Sequence, residues 1–258
     1  MDGPRLEHVS VVLVEPRYGG NLGSVARVMA NFGLAELVLV RPAEGIFQDP
    51  RLEPMARGAV GLVRSARVHP DLASALSGVE LAMGFTTRLG RRRAEALELR
   101  AALEQAAAHA PRARLAAVFG REDAGLTTAE LDLCHWLVRI PSEPGFPSLN
   151  LAQAVGVFAY ELRMVRSGGR AEGEPELRPA PVDELEALYA HFERVLWRIG
   201  FIEEDSPARM MNQVRRIFSR RLPESRDVRI LRGILSKVEL ALERARKGLP
   251  VGREPPNP

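Results

Sequence analysis

An α/β fold, a mainly parallel sheet with helices on both faces followed by a small all-helical C-terminal extension, is the architecture this sequence predicts. Three observations carry it. Short apolar runs alternate with segments of helical period up to about residue 166, Gly or Pro bounds most of the runs, and the pattern turns wholly helical beyond residue 181. Strands that alternate with helices need crossover connections, and those crossovers cover both faces of a parallel sheet.

The first predicted strand is 9–14 (VSVVLV), closed by Glu15-Pro16. Gly19, Gly20 and Gly23 follow, and glycine lets a backbone turn tightly and come close to something else. A helix is predicted over 22–32. Asn21 is a candidate cap for it, and Arg27 stands alone among small and apolar residues. Read without its surroundings, that stretch is a capped helix with a solvated arginine. Further strands are predicted at 36–41, 79–85, 114–119 and 136–140, and further helices at 53–63, 70–77, 94–109, 127–134 and 149–166. Thr127 and Glu130 have the spacing of a capping box. The stretch from 167 to 181 (SGGRAEGEPELRPAP) has no apolar period and reads as a linker. Helices are then predicted over 183–199, from Ser206-Pro207 onward, and over 227–246. The domains expected are 1–166, the linker 167–181, a helical extension 182–248 and a frayed tail 249–258.

Composition narrows the function classes. Cys134 is the only cysteine, which excludes an intramolecular disulfide and a cysteine-rich zinc site. The five histidines (His8, His69, His109, His135, His191) have no metal-ligand spacing and read as structural or surface residues, so no metal is expected. No apolar run reaches membrane-span length, and a signal-peptide core is absent from the first residues, so a cytoplasmic protein is expected. Only Lys237 and Lys247 are lysine, so 34 of the 36 basic residues are arginine. Arginine forks onto phosphates and stacks on bases. With a pI near 9.5, a polyanionic partner is plausible.

Ligands of doubly covered parallel sheets bind beyond the carboxyl ends of the strands, and three strand ends here carry unusual residues. Thr86-Thr87-Arg88 leads into Arg91-Arg92-Arg93, Phe119-Gly120-Arg121-Glu122 follows the fourth apolar run, and Ile140-Pro141 precedes Pro147-Ser148-Leu149-Asn150. Together with Asn21-x-Gly23-x-x-x-Arg27, in this order, these motifs resemble the SpoU branch of the SPOUT methyltransferases over residues 9 to about 166. The C-terminal segments Gly200-Phe201-Ile202, Pro207-Ala208-Arg209, Arg215-Arg216-Ile217-Phe218 and Ile230-Leu231-Arg232-Gly233-Ile234 resemble the TrmJ-type tRNA ribose methyltransferases within it.

The resemblance implies a trefoil knot toward the end of the α/β domain, S-adenosylmethionine bound in that knot, and a homodimer with active sites at the subunit interface. It implies a catalytic set of Arg27, Asn21, Glu122 and Asn150. It implies a cofactor pocket of Thr86, Thr87, Arg88, Gly120, Ile140, Pro147, Ser148, Leu149 and Asn150, and it makes the glycines before Arg27 room for a substrate ribose. The reaction implied is methyl transfer to a ribose 2′-hydroxyl of tRNA, in the anticodon loop at a position of the 32 type. The alternative is a SpoU-type enzyme acting on ribosomal RNA. Candidate RNA-binding residues are Arg91, Arg92, Arg93, Arg215, Arg216 and Arg220; between Arg209 and Arg232 eight arginines face only Glu224 and Asp227. A dinucleotide-binding oxidoreductase would need G-x-G-x-x-G after the first strand, which Gly-Gly-Asn-Leu-Gly does not supply. A non-catalytic RNA-binding module on the same fold would have little use for the intact Asn21, Arg27 and Ser148-Leu149-Asn150.

Overall fold

The structure, a computed structural model, describes residues 8–87, 96–110, 112–167, 179–202, 207–219 and 223–250. Seven parallel strands, β1 (Val9–Val14), β2 (Glu36–Val40), β3 (Arg67–His69), β4 (Leu81–Phe85), β5 (Leu97–Glu98), β6 (Leu115–Phe119) and β7 (Trp136–Arg139), lie in the order β3-β2-β1-β6-β4-β7-β5. The helices are α1 (Gly19–Phe32), α2 (Leu52–Ala56), α3 (Val60–Arg64), α4 (Leu72–Ala75), α5 (Leu99–His109), α6 (Thr128–Asp132), α7 (Leu151–Ser167), α8 (Val182–Arg198), α9 (Pro207–Ser219) and α10 (Ser225–Arg246). The chain divides into two compact units, 1–183 and 184–258.

Every residue of β1, β4 and β6 is buried, as a sheet covered on both faces requires. Alternation along the strands sorts the two faces. Val12, Val14, Ala116 and Val118 pack with Leu72 and Leu76 after β3 and with Leu131 of α6. On the opposite face Phe85 and Phe119 stack with ring centroids 4.3 Å apart, and Phe158 of α7 meets both edge-on. Two later strands, β6 and β7, flank β4 on its two sides, and β5 lies at the edge beyond β7. Between β6 and β7 the chain therefore crosses β4, and α7 then packs against α1 and α5.

The five strands predicted from the apolar runs are present, and β3 and β5 are additions. Neither shows an apolar run: β3 is Arg-Val-His and β5 has two residues. The helix expected over 53–63 is two helices, α2 and α3, because Arg57 (φ 40°) and Gly58 (φ 88°) take left-handed conformations between them. Helix α1 begins at Gly19 with Tyr18 at its N-cap, so Asn21 lies inside the first turn and caps nothing. The glycines make no turn either. They permit a close approach: a Cβ on Gly23 would sit 2.2 Å from the Leu52 carbonyl oxygen, and one on Gly19 2.3 Å from Asp49 Cβ. That room is filled by the protein itself, and only Gly20 borders an open cleft. The capping box at α6 is formed by Thr127 and Glu130 as expected. In the second unit, Phe218 of α9 packs between Tyr189 and Phe192 of α8, and His191 pairs with Glu239 of α10 at 3.2 Å.

His135 is a buried structural residue whose Nδ1 accepts from the Ala82 N–H at 2.9 Å. Burial holds its imidazole down to about 4 against the ordinary 6.5. The unfolded chain takes up this proton below 6.5 and the folded one does not. Stability from this group is thus complete above 6.5 and declines as pH falls from 6.5 toward 4, by about 1.4 kcal/mol per pH unit. Urea titrations at pH 7 and pH 5 are expected to show that loss in the wild type and a shallower one in His135→Gln. An unchanged slope in the variant would assign the acid sensitivity elsewhere.

Candidate active site

The three loops singled out in the sequence converge on one cavity at the carboxyl ends of β4, β6 and β7. Thr86, Thr87, Gly120, Ile140, Pro147, Ser148 and Leu149 all line it. The stacked rings of Phe85 and Phe119, also in its wall, and Leu151 and Ala154 from the first turn of α7 complete the apolar part. Gly120 is required here by close approach: a Cβ would lie 2.1 Å from the Gly125 carbonyl carbon and 2.3 Å from Leu126 N. The loop is drawn that tight because Arg121 and Gly125 form an antiparallel bridge, closed by Arg121 N–H to Gly125 O at 3.2 Å and Gly125 N–H to Arg121 O at 2.8 Å. Arg88, Arg91, Arg92 and Arg93 lie outside the described residues.

Three of the four expected catalytic residues form a single hydrogen-bonded chain. Asn150 Nδ2 donates to Asn21 Oδ1 at 3.0 Å, and Asn21 Nδ2 donates to Glu122 Oε1 at 3.1 Å. Glu122, in the cavity wall, also accepts from the Arg17 backbone N–H at 3.2 Å. Asn150 is not in that wall. Its Oδ1 accepts from the Ala152 N–H at 2.9 Å, so it caps α7 and orients Asn21 with the same amide. Residues 129 positions apart are thereby held in register. An amide nitrogen carries two hydrogens, so one N–H of Asn21 remains for a substrate. Arg27 stands apart from this chain. Six residues along α1 places it about 120° around the helix from Asn21; it is exposed and has no hydrogen bond or ion pair among the described residues.

Below the loop lies a charged cluster that sequence reasoning missed. The Arg121 guanidinium donates through Nε to Glu15 at 2.7 Å and through Nη1 and Nη2 to Glu130 at 2.9 Å each. Arg41 closes the set on Glu15 at 2.7 Å. Glu15 (φ 48°) and Arg41 (φ 45°) both hold left-handed backbone conformations at the ends of β1 and β2, which cost about 1–3 kcal/mol each and persist because these contacts fix them. The Arg121 hydrogen bond is the main cause of the lowered Glu15 pKa. Burial pushes the Glu130 carboxyl up, and its bonds from Arg121 and Thr127 outweigh that and bring it below the ordinary value. The signal available was Glu15 before Pro16 at a strand end; Glu130 was visible only as half of a capping box. The Arg121 and Glu130 side chains are each 10% exposed, so Arg121→Met strips the buried Glu130 carboxylate of its guanidinium, while Glu15 keeps Arg41. Urea denaturation is expected to show a loss of about 3–5 kcal/mol; an unchanged midpoint would contradict the strut role.

Of the arginines expected to hold RNA, Arg220 lies outside the described residues and Arg216 is exposed on α9. Arg215 already has partners within the chain. Its guanidinium pairs with Glu186, with one bond at 2.8 Å, and sits 4.4 Å from the Tyr189 ring centroid. It is a brace between α8 and α9. The described residues contain no cluster of three His, Cys, Asp or Glu able to hold a metal ion, and no helix among them is long and apolar enough to cross a membrane.

With this geometry in hand, comparison with known proteins is decisive. The model of the SpoU rRNA Methylase family matches residues 8–160, and the tRNA methyltransferase TrmJ C-terminal domain matches 183–248. The chain belongs to the SpoU methylase family, in its TrmJ branch. A Pectobacterium atrosepticum relative named tRNA (cytidine/uridine-2′-O-)-methyltransferase TrmJ is 40% identical over 91% of this chain and 98% of its own. The crystal structure of TrmJ from Z. mobilis ZM4 superposes with a TM-score of 0.75 at 32% identity, covering 89% of this chain and 98% of that one. A structure described as giving insights into the 2-OH methylation of C/U34 on tRNA matches with a TM-score of 0.50 at 31% identity, over 62% of this chain and 91% of that one. As a SpoU methylase of the TrmJ branch, the chain has the α/β SPOUT fold with a helical C-terminal extension.

Proposed function

We propose that the chain transfers a methyl group from S-adenosylmethionine to a ribose 2′-hydroxyl of tRNA, in the anticodon loop at a position of the 32 type. The observation that carries this reading is the Asn150–Asn21–Glu122 chain at the edge of the cavity, in a protein whose TrmJ relative matches both of its units. The cavity suits the cofactor. Stacked phenyl rings offer a flat apolar wall, while the Glu122 carboxylate and the amide-bearing start of α7 present opposite charge to a zwitterion. When bound, S-adenosylmethionine supplies an already activated methyl group on a sulfonium.

The protein's own task is alignment and charge. Glu122, fixed by the Arg17 N–H, and Asn150, fixed as the α7 cap, set the Asn21 amide so that its remaining N–H can hold a ribose oxygen. Arg27 supplies a guanidinium charge to this task. It stabilises the developing alkoxide or pins the neighbouring phosphate, and the 2′-hydroxyl proton passes to solvent. Its separation from Asn21 within one chain, and the exposed apolar stripe Val157, Tyr160 and Met164 on α7, support a homodimer whose active sites lie at the interface.

Incubation with labelled S-adenosylmethionine and either bulk tRNA or ribosomal RNA tests the substrate. Label in tRNA is expected; label in ribosomal RNA alone would transfer the assignment to the alternative. Phosphate contacts by the arginine-rich second unit also imply that tRNA affinity falls steeply between 50 and 200 mM salt, by about 10³-fold if six phosphates are engaged. A flat response would remove the electrostatic grip from the account.

A further inference from the structure

A second opening lies on the other side of Asn21. It is a cleft of about 570 Å³ between the start of α1 and α2, lined by Tyr18, Asn21, Ser24, Arg51 and Met55 with Pro50 and Pro54. That volume is in the range of small-molecule sites. The cofactor cavity and this cleft share a boundary, because the Asn21 amide that borders the cleft is bonded to the Glu122 carboxylate in the cavity wall. A group held in the cleft is therefore one side chain away from the methyl donor's site.

The walls define what fits. Tyr18 and Met55, 49% and 48% exposed, present a ring and a thioether to the opening. Gly20 lies on the floor, where an added Cβ would make ordinary contact with Arg51 Cβ at 3.4 Å. Arg51, the one cation among the described lining residues, is held in place. Arg51 donates through Nε and Nη2 to Asp49 at 2.9 Å each, and Asp49 in turn accepts the Gly19 N–H at 3.0 Å. The Nη1 group of Arg51 has no acceptor among the described residues. Apolar walls with the fixed Arg51 donor beside the Asn21 amide suit a nucleobase and its ribose better than a phosphate backbone.

We infer that this cleft takes the base of the target pyrimidine nucleotide, stacked on Tyr18, with Arg51 donating to O2, the acceptor that cytosine and uracil share. This rests on the function proposed above. Arginine only donates, so it reads the shared oxygen and leaves the differing 4-position unread. Cytidine and uridine are then accepted alike. The stacked geometry brings the attached ribose to Asn21.

Two readouts separate this inference from the function beneath it. The first needs no catalysis: the Met55 methyl resonance is followed while cytidine, uridine or adenosine monophosphate is added to the wild-type protein. Shifts with both pyrimidine nucleotides, reduced for adenosine monophosphate and lost in Tyr18→Ala, are expected. No shift with the pyrimidines overturns the cleft assignment whatever the enzyme does, and an equal response to adenosine monophosphate overturns the pyrimidine part. The second is steady-state methylation of tRNA. Tyr18→Ala and Arg51→Gln are expected to raise KM for tRNA about tenfold, the loss of one stacked base or one hydrogen bond, with S-adenosylmethionine affinity unchanged and Tyr18→Phe near wild type. Wild-type kcat/KM in both variants would overturn the inference. A wild-type enzyme inactive on tRNA but with the Met55 shifts intact would overturn the function and support the cleft.

Discussion

Arg27→Ala is expected to lower methyl transfer by about 100-fold or more, the usual cost of removing a group that stabilises charge in the transition state, while the melting temperature and cofactor affinity stay at wild-type values. The structure makes this separation possible. Arg27 is exposed on α1 and has no hydrogen bond or ion pair among the described residues, so its removal leaves neither a cavity nor an unpaired partner. Arg27→Lys divides the two electrostatic roles. A lysine keeps the charge and loses the planar fork, so activity below about a tenth of wild type points to geometry, and near-complete rescue points to charge alone. A variant with full activity and an alanine at 27 would remove this residue from the mechanism.

Gly120→Ala is the second large effect, and it runs in the opposite direction: cofactor affinity falls while RNA binding by the second unit persists. The added Cβ would meet the backbone of Gly125 and Leu126 at 2.1–2.3 Å, and backbone cannot swing aside as a side-chain tip can. The Arg121–Gly125 bridge must open, carrying the β6 loop away from the cavity. Overpacking of this kind costs about 1–3 kcal/mol, or about 5- to 150-fold in S-adenosylmethionine affinity if the cost is borne in the bound state. Isothermal titration of the cofactor and a filter-binding assay with tRNA measure the two halves. Wild-type cofactor affinity would show that the β6 loop does not shape the site.

What could be read from the sequence and what could not follow from different physics. The buried strands were legible because a strand covered on both faces must be apolar throughout, as in VSVVLV. Edge strands have no such constraint, and β3 and β5 left no mark. The site loops were legible as motifs because each combines a strand end with residues of special backbone or hydrogen-bonding character. Their geometry was not. Asn21 looked like a cap and is a bridge, whereas Asn150, read as a site residue, is also the cap of α7. Glycines 19 and 23 looked like ligand room and are filled by Asp49 and Leu52. Periodicity cannot reveal which long-range neighbour occupies a space. The same limit hid the Glu15–Arg121–Glu130 cluster, whose members come from two strand-end loops and helix α6, and hid the pairing of Arg215 with Glu186 and Tyr189.

The central claim is that the Asn150–Asn21–Glu122 chain serves methyl transfer to a pyrimidine ribose in tRNA. Nucleoside mass spectrometry of tRNA treated with the wild-type protein and S-adenosylmethionine tests it most directly, with fragment mapping to place the modified residue. The account predicts 2′-O-methylcytidine and 2′-O-methyluridine at an anticodon-loop position of the 32 type, and neither product with Asn21→Ala. A methyl group on a base, or undiminished ribose methylation by the Asn21 variant, would contradict it.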